Sequence, residues 1–373
     1  MIGKKSLINV KHIVYVVSSL RRTGPTQQLY NLASNISSKK VTIITLSPEP
    51  QNSLIEYFQD ANINVVSLNL GRLSGIFLAR KKLLDLFIKL SPDIIHTQGI
   101  RADSLLCRMK QSKPWVLTIR NVPHHDYPAK FGGFLGRLMA RRHVKIMRKC
   151  TNVVACSQSV QNALAQKGIS SYAIQNGVRN HKITKNIRQN LLQNYERPIF
   201  ISAGSLIERK NFSETVKAFN KASSCANFKG SLIVLGAGKL DVQLKNQSGP
   251  NIYFLGEVDN VIEYFNCADC FVSSSKSEGL PNAVLEAFSC SLPAILSNIP
   301  SHCELQDEMP ISCTIYKGVD LEISLADEYK SFSKKFISGS HKKSNEQLEA
   351  FQFSAEKMAS KYNNFYNSKV HCE

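Results

Sequence analysis

The 373-residue sequence lacks the features that mark several classes of protein. No apolar run approaches the roughly 20 residues that a membrane-spanning helix requires, and the short apolar run at residues 13–17 falls short of the roughly 7–15 residues of a signal-peptide core. Of the ten cysteines, only Cys267 and Cys270 form a C-x-x-C pair, so neither a zinc ribbon nor a disulfide framework is indicated. We therefore expect a cytoplasmic protein with reduced cysteines.

Acidic residues are scarce in the first half of the chain. Residues 1–180 contain 26 Lys and Arg but only 7 Asp and Glu, a net charge of +19, whereas residues 181–373 contain 21 of each kind. A field of this sign attracts a polyanion such as nucleic acid, anionic lipid or a phosphorylated substrate. The alternative is a charge that only maintains solubility.

Apolar, β-branched segments alternate with helical segments in both halves of the chain. They are residues 12–20, 41–47, 63–70, 92–99, 115–121, 152–157 and 172–178 in the first half, and 198–206, 231–238, 251–258, 269–275 and 293–298 in the second. Repeated β-α-β order is typical of parallel sheets with helices on both faces. The sequence therefore predicts an α/β fold with two Rossmann-like, doubly wound domains and a cleft between them.

A polar stretch, residues 181–198, interrupts this rhythm and is predicted to be a linker. It separates a first domain, residues 1–180, from a second domain, residues 199–349. Doubly wound sheets bind ligands at the carboxyl ends of their strands, so we expect the functional site in the cleft.

Two carboxylates flank a predicted helix start in the second domain. Glu278 follows a predicted strand, and Glu286 lies inside the following helix. The loop after Glu278 consists of Gly279, Leu280, Pro281 and Asn282. Its glycine lets the backbone approach a ligand, and the helix start offers N–H groups and partial positive charge to a phosphate. Glu286 either accepts hydrogen bonds from sugar hydroxyls or only stabilises the helix start.

A second loop, residues 202–212, follows a strand and precedes a helix. Gly204 permits close approach of a ligand, and Ser205 follows it. Arg209 and Lys210 bring two cations into the loop, where they either stabilise charge on a phosphate leaving group or form a solvated basic pair.

Both loops resemble signatures of the family-4 glycosyltransferases, which are retaining enzymes with the GT-B fold. The family pattern E-G-[LF]-P-x-x-x-x-E appears here as E-G-L-P-N-A-V-L-E from Glu278 to Glu286. The family pattern G-R-L-x-x-x-K-[GN] appears as G-S-L-I-E-R-K-N, so that Lys210 matches the family lysine and Ser205 replaces the family arginine. Arg209 stands beside the lysine and is expected to supply the missing charge. The resemblance extends over most of residues 12–300.

This resemblance implies transfer of a sugar from a nucleotide-diphosphate donor, with UDP as the favoured base and GDP next, and with retention of the anomeric configuration. The implied acceptor is a lipid-linked glycan of bacterial surface-polysaccharide synthesis, such as O-antigen, and it binds the first domain. Glu278 is expected beside the donor sugar and Glu286 on the ribose. Lys210 and Arg209 face the diphosphate, and so does a first-domain turn that contains Gly24. No D-x-D triplet occurs, so no metal cofactor is expected.

One departure concerns the first domain. The family places a histidine near the donor sugar at a strand end where this chain has Arg120. His124 and His125 follow in the same loop, and His96 ends another strand, so these histidines are alternatives. The resemblance also implies that a C-terminal helix, about residues 350–373, completes the first domain.

The stretch 131–149 is predicted to be one amphipathic helix. Its basic stripe is Arg137, Arg141, Lys145 and Arg148, and its predicted apolar face is Phe131, Phe134, Leu135, Leu138, Met139 and Ile146. Either the apolar face packs on the sheet and the cations are merely solvated, or the helix meets the anionic inner face of a membrane, where each cation contributes about 1 kcal/mol.

Two other functions compete with sugar transfer. An epimerase or hydrolase of nucleotide sugars could share the fold, but it would need acid–base carboxylates from the first domain, which has few. A nucleic-acid-binding module should interleave aromatic and basic residues, whereas the basic stripe carries phenylalanine only on its apolar side. We therefore expect no nucleic-acid partner.

Overall fold

The computed structural model describes residues 10–110, 112–180, 191–340 and 351–370. The chain divides into two compact units. The first contains Met1–Gly177 and Phe353–Glu373, and the second contains Val178–Gln352.

The first unit is built on a parallel sheet. Its strands are β1 (His12–Val17), β2 (Lys40–Thr45), β3 (Asn64–Ser67), β4 (Ile94–Gln98), β5 (Trp115–Ile119), β6 (Asn152–Ala155) and β7 (Tyr172–Ala173). They are ordered β3-β2-β1-β4-β5-β6-β7, and every pair is parallel. β1, β4 and β5 are buried along their whole length, as expected where helices cover both faces of a sheet.

Helices connect these strands. They are α1 (Gly24–Ala33), α2 (Ile55–Asp60), α3 (Arg72–Leu90), α4 (Ile100–Leu106), α5 (Pro123–Phe131), α6 (Gly133–Met147) and α7 (Gln158–Ala165). The prediction of a single helix over residues 131–149 is wrong, because the chain breaks at Gly132, whose φ of 84° lies outside the helical region.

The second unit contains a six-stranded parallel sheet. Its strands are β8 (Ile199–Ala203), β9 (Ser231–Leu235), β10 (Ile252–Gly256), β11 (Cys270–Ser273), β12 (Ala294–Ser297) and β13 (Cys313–Tyr316). The order is β10-β9-β8-β11-β12-β13. Its helices are α8 (Phe212–Ser223), α9 (Asp241–Asn246), α10 (Val261–Cys267), α11 (Asn282–Ser289), α12 (Pro300–Glu308) and α13 (Leu321–Ile337). The predicted α/β fold with two doubly wound parallel sheets is confirmed, with β13 as an additional edge strand.

The predicted linker is partly integrated into the second unit. Residues 181–190 lie outside the described residues. Beyond them, Leu192 is buried, and Arg197 donates through Nη1 to both carboxylate oxygens of Asp269 at 2.6 and 2.7 Å. The chain is therefore anchored before β8 begins.

A final helix, α14 (Ala355–Val370), packs within the first unit. The hydroxyl of Tyr366 lies 2.5 Å from Nδ1 of His96 and 3.3 Å from the hydroxyl of Tyr15. The hydroxyl of Tyr362 lies 3.0 Å from Oγ1 of Thr118, which in turn lies 2.7 Å from Nε2 of His96. These buried polar groups satisfy one another, so they fix the position of α14 on the sheet.

Replacing Tyr366 with phenylalanine should destabilise the first unit. The change leaves Nδ1 of His96 buried without its partner, at a cost of about 1–3 kcal/mol. Hydrogen exchange of β1 and β4 peptides in increasing urea reports on this unit alone. Tyr57→Phe is the matched control because Tyr57 is 50% exposed, and it should change nothing measurable. Equal protection in the two variants would contradict the account of α14.

Candidate functional site

The candidate site forms where the strand order of the second unit reverses direction. β8 and β11 are hydrogen-bonded neighbours although β9 and β10 lie between them in sequence. The loop after β8 carries Arg209 and Lys210 in a 3₁₀ turn, Glu208–Lys210. The loop after β11 carries Glu278. Because the carboxyl ends of parallel strands share one edge of the sheet, the two loops meet.

Glu278 holds both cations through its carboxylate. Oε1 lies 2.6 Å from Nζ of Lys210, and Oε2 lies 2.7 Å from Nη1 of Arg209. The same Nη1 donates to the carbonyl oxygen of Ser277 at 2.6 Å, and the hydroxyl of Ser275 donates to Oε1 at 2.9 Å. We call Arg209, Lys210 and Glu278 the ion triad.

The ion triad has a surplus of positive charge. Burial disfavours the charged form of Glu278, whose side chain is 8% exposed, but Lys210 and Arg209 outweigh that cost and lower its pKa to about 2. The carboxylate is therefore ionised at neutral pH and faces two cations. The side chains of Arg209 and Lys210 are 18% and 19% exposed, so the surplus charge is accessible to an anion.

Glu286 lies on α11, eight positions after Glu278. Burial raises its pKa to about 7, and the charge of Lys210 opposes that rise. Pro281 is the N-cap residue of α11, and the first turn of the helix carries no acidic side chain. The positive end of the helix and the partly protonated Glu286 thus adjoin the ion triad.

Glycines let two loops of the second unit pack closely against each other. Gly204 has φ +147°, and a Cβ there would lie 3.6 Å from Cε of Lys210. A Cβ on Gly236 would lie 2.1 Å from the carbonyl oxygen of Gly204, and one on Gly238 would lie 2.4 Å from that of Leu206. The G-x-G of residues 236–238 therefore supports the 204–206 loop through close packing.

A buried relay, which the sequence did not indicate, continues from Glu278 to α12. Ser275 is bonded to Glu278, and the hydroxyl of Ser297 donates to the carbonyl oxygen of Ser275 at 2.6 Å. Nδ1 of His302 donates to the carbonyl oxygen of Ser297 at 2.9 Å. Burial lowers the pKa of His302 to about 4, so this histidine is neutral. Serines and a lone histidine form no recognisable motif, so only the folded chain identifies the relay.

The first-unit candidates lie at the carboxyl end of the other sheet. Gly24 is the first residue of α1, and Arg120 directly follows β5. Nη1 of Arg120 donates to Oδ1 of Asn176 at 2.6 Å. His96 is fully buried and bonded at both ring nitrogens, so it is a core residue and the hypothesis that it contacts a ligand is wrong. His124 and His125 lie in the first turn of α5.

Two family profiles match most of the chain. Residues 22–181 match the family described as Glycosyltransferase Family 4, and residues 183–308 match the family described as Glycosyl transferases group 1. The chain is a glycosyltransferase that carries both of these family domains. Its fold agrees, because the structure of Anabaena Alr3699/HepE in complex with UDP and glucose aligns with a TM-score of 0.78 at 17% identity over 96% of this chain and 100% of that one.

Relatives of this glycosyltransferase occur in bacteria. It is 26% identical to the O-antigen biosynthesis glycosyltransferase WclY of Escherichia coli, over 95% of this chain and 98% of the relative. It is 24% identical to the UDP-Gal:alpha-D-GlcNAc-diphosphoundecaprenol alpha-1,3-galactosyltransferase of Escherichia coli, over 71% of this chain and 74% of that enzyme.

The exposed face of α6 distinguishes the two alternatives that the sequence left open for its apolar residues. The residues that pack inward are Gly136, Ala140, His143, Val144, Ile146 and Met147. Phe134 and Leu138, two members of the predicted apolar face, are 86% and 55% exposed, so this part of the face does not pack on the sheet. They share the outer face with Arg141, three positions after Leu138, and with Lys145, four positions after Arg141. The outer face of the glycosyltransferase's α6 is thus both apolar and basic.

Two kinds of feature are absent from the described residues. Within residues 10–110, 112–180, 191–340 and 351–370, no cluster of three or more His, Cys, Asp and Glu side chains could hold a metal ion. No helix in those same ranges combines the length and apolarity needed to cross a membrane.

Glu286→Gln should make the stability of the glycosyltransferase less dependent on pH. The raised pKa means that wild-type stability is complete below pH 4.5 and falls as pH rises through about 7, by up to about 3 kcal/mol. The variant does not pay this cost, so its gain in Tm over wild type should grow from pH 5 to pH 8. Glu257→Gln, an exposed acid in the same unit, is the control. A gain that is independent of pH would show that Glu286 is ordinarily ionised.

Proposed function

We propose that this glycosyltransferase transfers a sugar from a UDP-sugar to a lipid-linked glycan during bacterial surface-polysaccharide synthesis, with retention of the anomeric configuration. The ion triad is the observation that carries the proposal, since it presents two cations to a diphosphate. The O-antigen relative and the relative that uses UDP-galactose support the pathway and the base. The family-4 signature supports retention.

Lys210 and Arg209 act on the leaving group. As the glycosidic bond breaks, negative charge accumulates on the β-phosphate, and cations already held in place stabilise that charge more in the transition state than in the ground state. These cations take the role that a divalent metal plays in other transferases, so we propose a reaction without a metal cofactor. Gly204 and Ser205 let the loop lie against the diphosphate.

Glu278 positions the two cations and exchanges no proton. A carboxylate with a pKa of about 2 stays ionised throughout the neutral range, so it is a poor general acid or base. Its charge lies beside the donor sugar, where positive charge develops at the anomeric carbon. This argues for transfer over epimerisation, which requires proton exchange with the sugar.

The nucleoside is bound by α11 and the loop before it. We propose that Glu286 accepts hydrogen bonds from the ribose hydroxyls, while the loop of Gly279, Leu280, Pro281 and Asn282 borders the phosphates. A carboxylate accepts such bonds best when ionised. Donor binding should therefore lower the pKa of Glu286, because ribose hydroxyls would donate hydrogen bonds to the charged carboxylate. The side chain would then change from partly protonated to ionised.

The acceptor binds the first unit. Residues 1–180, which include most of that unit, carry a net charge of +19, and this charge suits a lipid diphosphate as well as an anionic membrane surface. We propose that α6 rests on the anionic inner face of the cytoplasmic membrane. Phe134 and Leu138 would enter the interface while Arg137, Arg141 and Lys145 meet lipid phosphates. Arg148 contributes less, because its Nη2 donates to the carbonyl oxygen of Lys167 at 2.8 Å. Nucleic acid is not a partner in this account.

UDP should stabilise the wild-type protein and not the Lys210→Ala variant. At about 100 times its Kd a ligand adds about 2.7 kcal/mol of stability, and the variant removes one of the two cations. Thermal unfolding with UDP, GDP, ADP, CMP or single-stranded RNA measures the shift. Lys276→Ala, a neighbouring exposed lysine, is the control and should respond like wild type. A shift with RNA alone, or an equal UDP shift in both lysine variants, would refute the assignment.

Removing charge from α6 should release the protein from anionic vesicles. The variant Arg137→Gln/Arg141→Gln/Lys145→Gln loses three cations worth about 1 kcal/mol each, so its partition onto phosphatidylglycerol-containing vesicles should fall at least about tenfold. The control Lys317→Gln/Lys334→Gln/Lys335→Gln removes equal charge from exposed positions of the second unit. If both triple variants lose binding equally, net charge rather than α6 mediates attachment.

A further inference from the structure

Arg120 presents hydrogen-bond donors that no described residue accepts. Nη1 is bonded to Asn176, but Nε and Nη2 are buried and have no hydrogen-bond partner within the described part of the chain. In that part of the chain no Asp or Glu forms an ion pair with this guanidinium. Among the described residues, the side-chain hydrogen-bond partner of the guanidinium is therefore a neutral amide, that of Asn176.

The groups around Arg120 cannot neutralise it. The guanidinium interacts electrostatically with four buried side chains, which are Tyr15, His96, Tyr362 and Tyr366. Burial raises the pKa of each of these tyrosines above its usual range and lowers that of His96, so all four are neutral at physiological pH. A neutral lining gives the guanidinium no counter-charge.

Donor atoms that are buried without a hydrogen-bond partner lower the stability of the folded protein. Buried polar groups are almost always hydrogen-bonded, and a buried charge without a partner destabilises the fold. Nε and Nη2 lie on the same edge of the guanidinium, and this edge matches the two oxygens of a carboxylate or phosphate. The geometry of the free edge thus corresponds to that of an oxyanion.

The partner of Arg120 is itself held firmly. Asn176 N donates to the carbonyl oxygen of Cys156 at 3.2 Å. The next residue, Gly177, receives Nδ2 of Asn31 on its carbonyl oxygen at 2.9 Å and donates its N–H to Oε1 of Gln28 at 3.2 Å. Two side chains of α1 therefore fix the segment that orients the guanidinium, which keeps its free edge in one direction.

We propose that Nε and Nη2 of Arg120 bind an oxyanion of a substrate in bidentate fashion. The oxyanion is either the carboxylate of a uronic-acid donor sugar or a phosphate of the acceptor. This inference rests on the proposed function, because it takes the substrate to be a nucleotide sugar or a lipid diphosphate. It adds that one of the two substrates carries an anionic group that the first unit recognises.

Arg120→Met tests the inference through stability and binding together. In the ligand-free protein, methionine removes two buried donor atoms, Nε and Nη2, that have no hydrogen-bond partner among the described residues, so Tm should rise by a few degrees. Arg142→Met, at an exposed position of the same unit, is the matched control and should leave Tm unchanged. A fall in Tm for Arg120→Met would show that the arginine serves the fold, and this result would overturn the proposal.

Calorimetric titrations distinguish the two sources of the oxyanion. If the oxyanion is a donor carboxylate, wild type should bind UDP-glucuronic acid more tightly than UDP-glucose. If it is an acceptor phosphate, wild type should bind geranyl diphosphate in the presence of saturating UDP. Arg120→Met should lose about tenfold or more in affinity for that one ligand and keep its affinity for UDP. Arg120→Lys should recover only part of the loss, because an ammonium lacks the planar fork.

The two proposals fail in different ways. If UDP binds wild type but Arg120→Met binds all these ligands as wild type does, the oxyanion site is wrong and the proposed function stands. If UDP does not bind wild type, the proposed function fails. The Tm of Arg120→Met then still shows whether Arg120 stabilises the fold, which would overturn the oxyanion site. Support for the oxyanion site requires both the rise in Tm and the selective loss of affinity.

Discussion

The buried carboxylate of Glu278 is the interaction on which the candidate site depends. Two cations in one loop would repel each other and remain solvated, but one carboxylate from the neighbouring loop holds both within 2.7 Å. This pairing exists only because β8 and β11 are adjacent at the point where the strand order reverses. Close packing of Gly236 on Gly204 and of Gly238 on Leu206 supports the loop that carries the cations.

The alternation of strands and helices could be predicted from sequence because buried parallel strands are continuous apolar runs. β1 and β9, for example, are buried along their whole length. The break at Gly132 and the edge strand β13 could not be predicted in the same way. A glycine with positive φ leaves no trace in a hydrophobic pattern, and β13 is a four-residue strand in which Thr314 is exposed.

The candidate site also contains residues that the sequence predicts and residues that only the folded structure identifies. Arg209, Lys210 and Glu278 fall in loops with recognisable spacing, and these three residues meet in the structure. Glu286 follows at a recognisable spacing in α11. The relay through Ser297 and His302 depends on contacts between distant loops, which spacing does not encode. The apolar pattern could not decide which face of α6 packs inward, because small and polar residues such as Gly136 and His143 are buried there while Phe134 is exposed. Tertiary packing overrode amphipathicity at that helix.

The central claim is that the ion triad binds the diphosphate of a nucleotide donor. Calorimetric titration of the wild-type protein with UDP and UMP tests it most directly, because the two ligands differ only in the β-phosphate. The account predicts that UDP binds at least about tenfold more tightly than UMP, since a charge-assisted contact to the second phosphate is worth about 1.5–3 kcal/mol. Equal affinity for UDP and UMP would contradict it, because the surplus charge of Lys210 and Arg209 would then contribute nothing to donor binding.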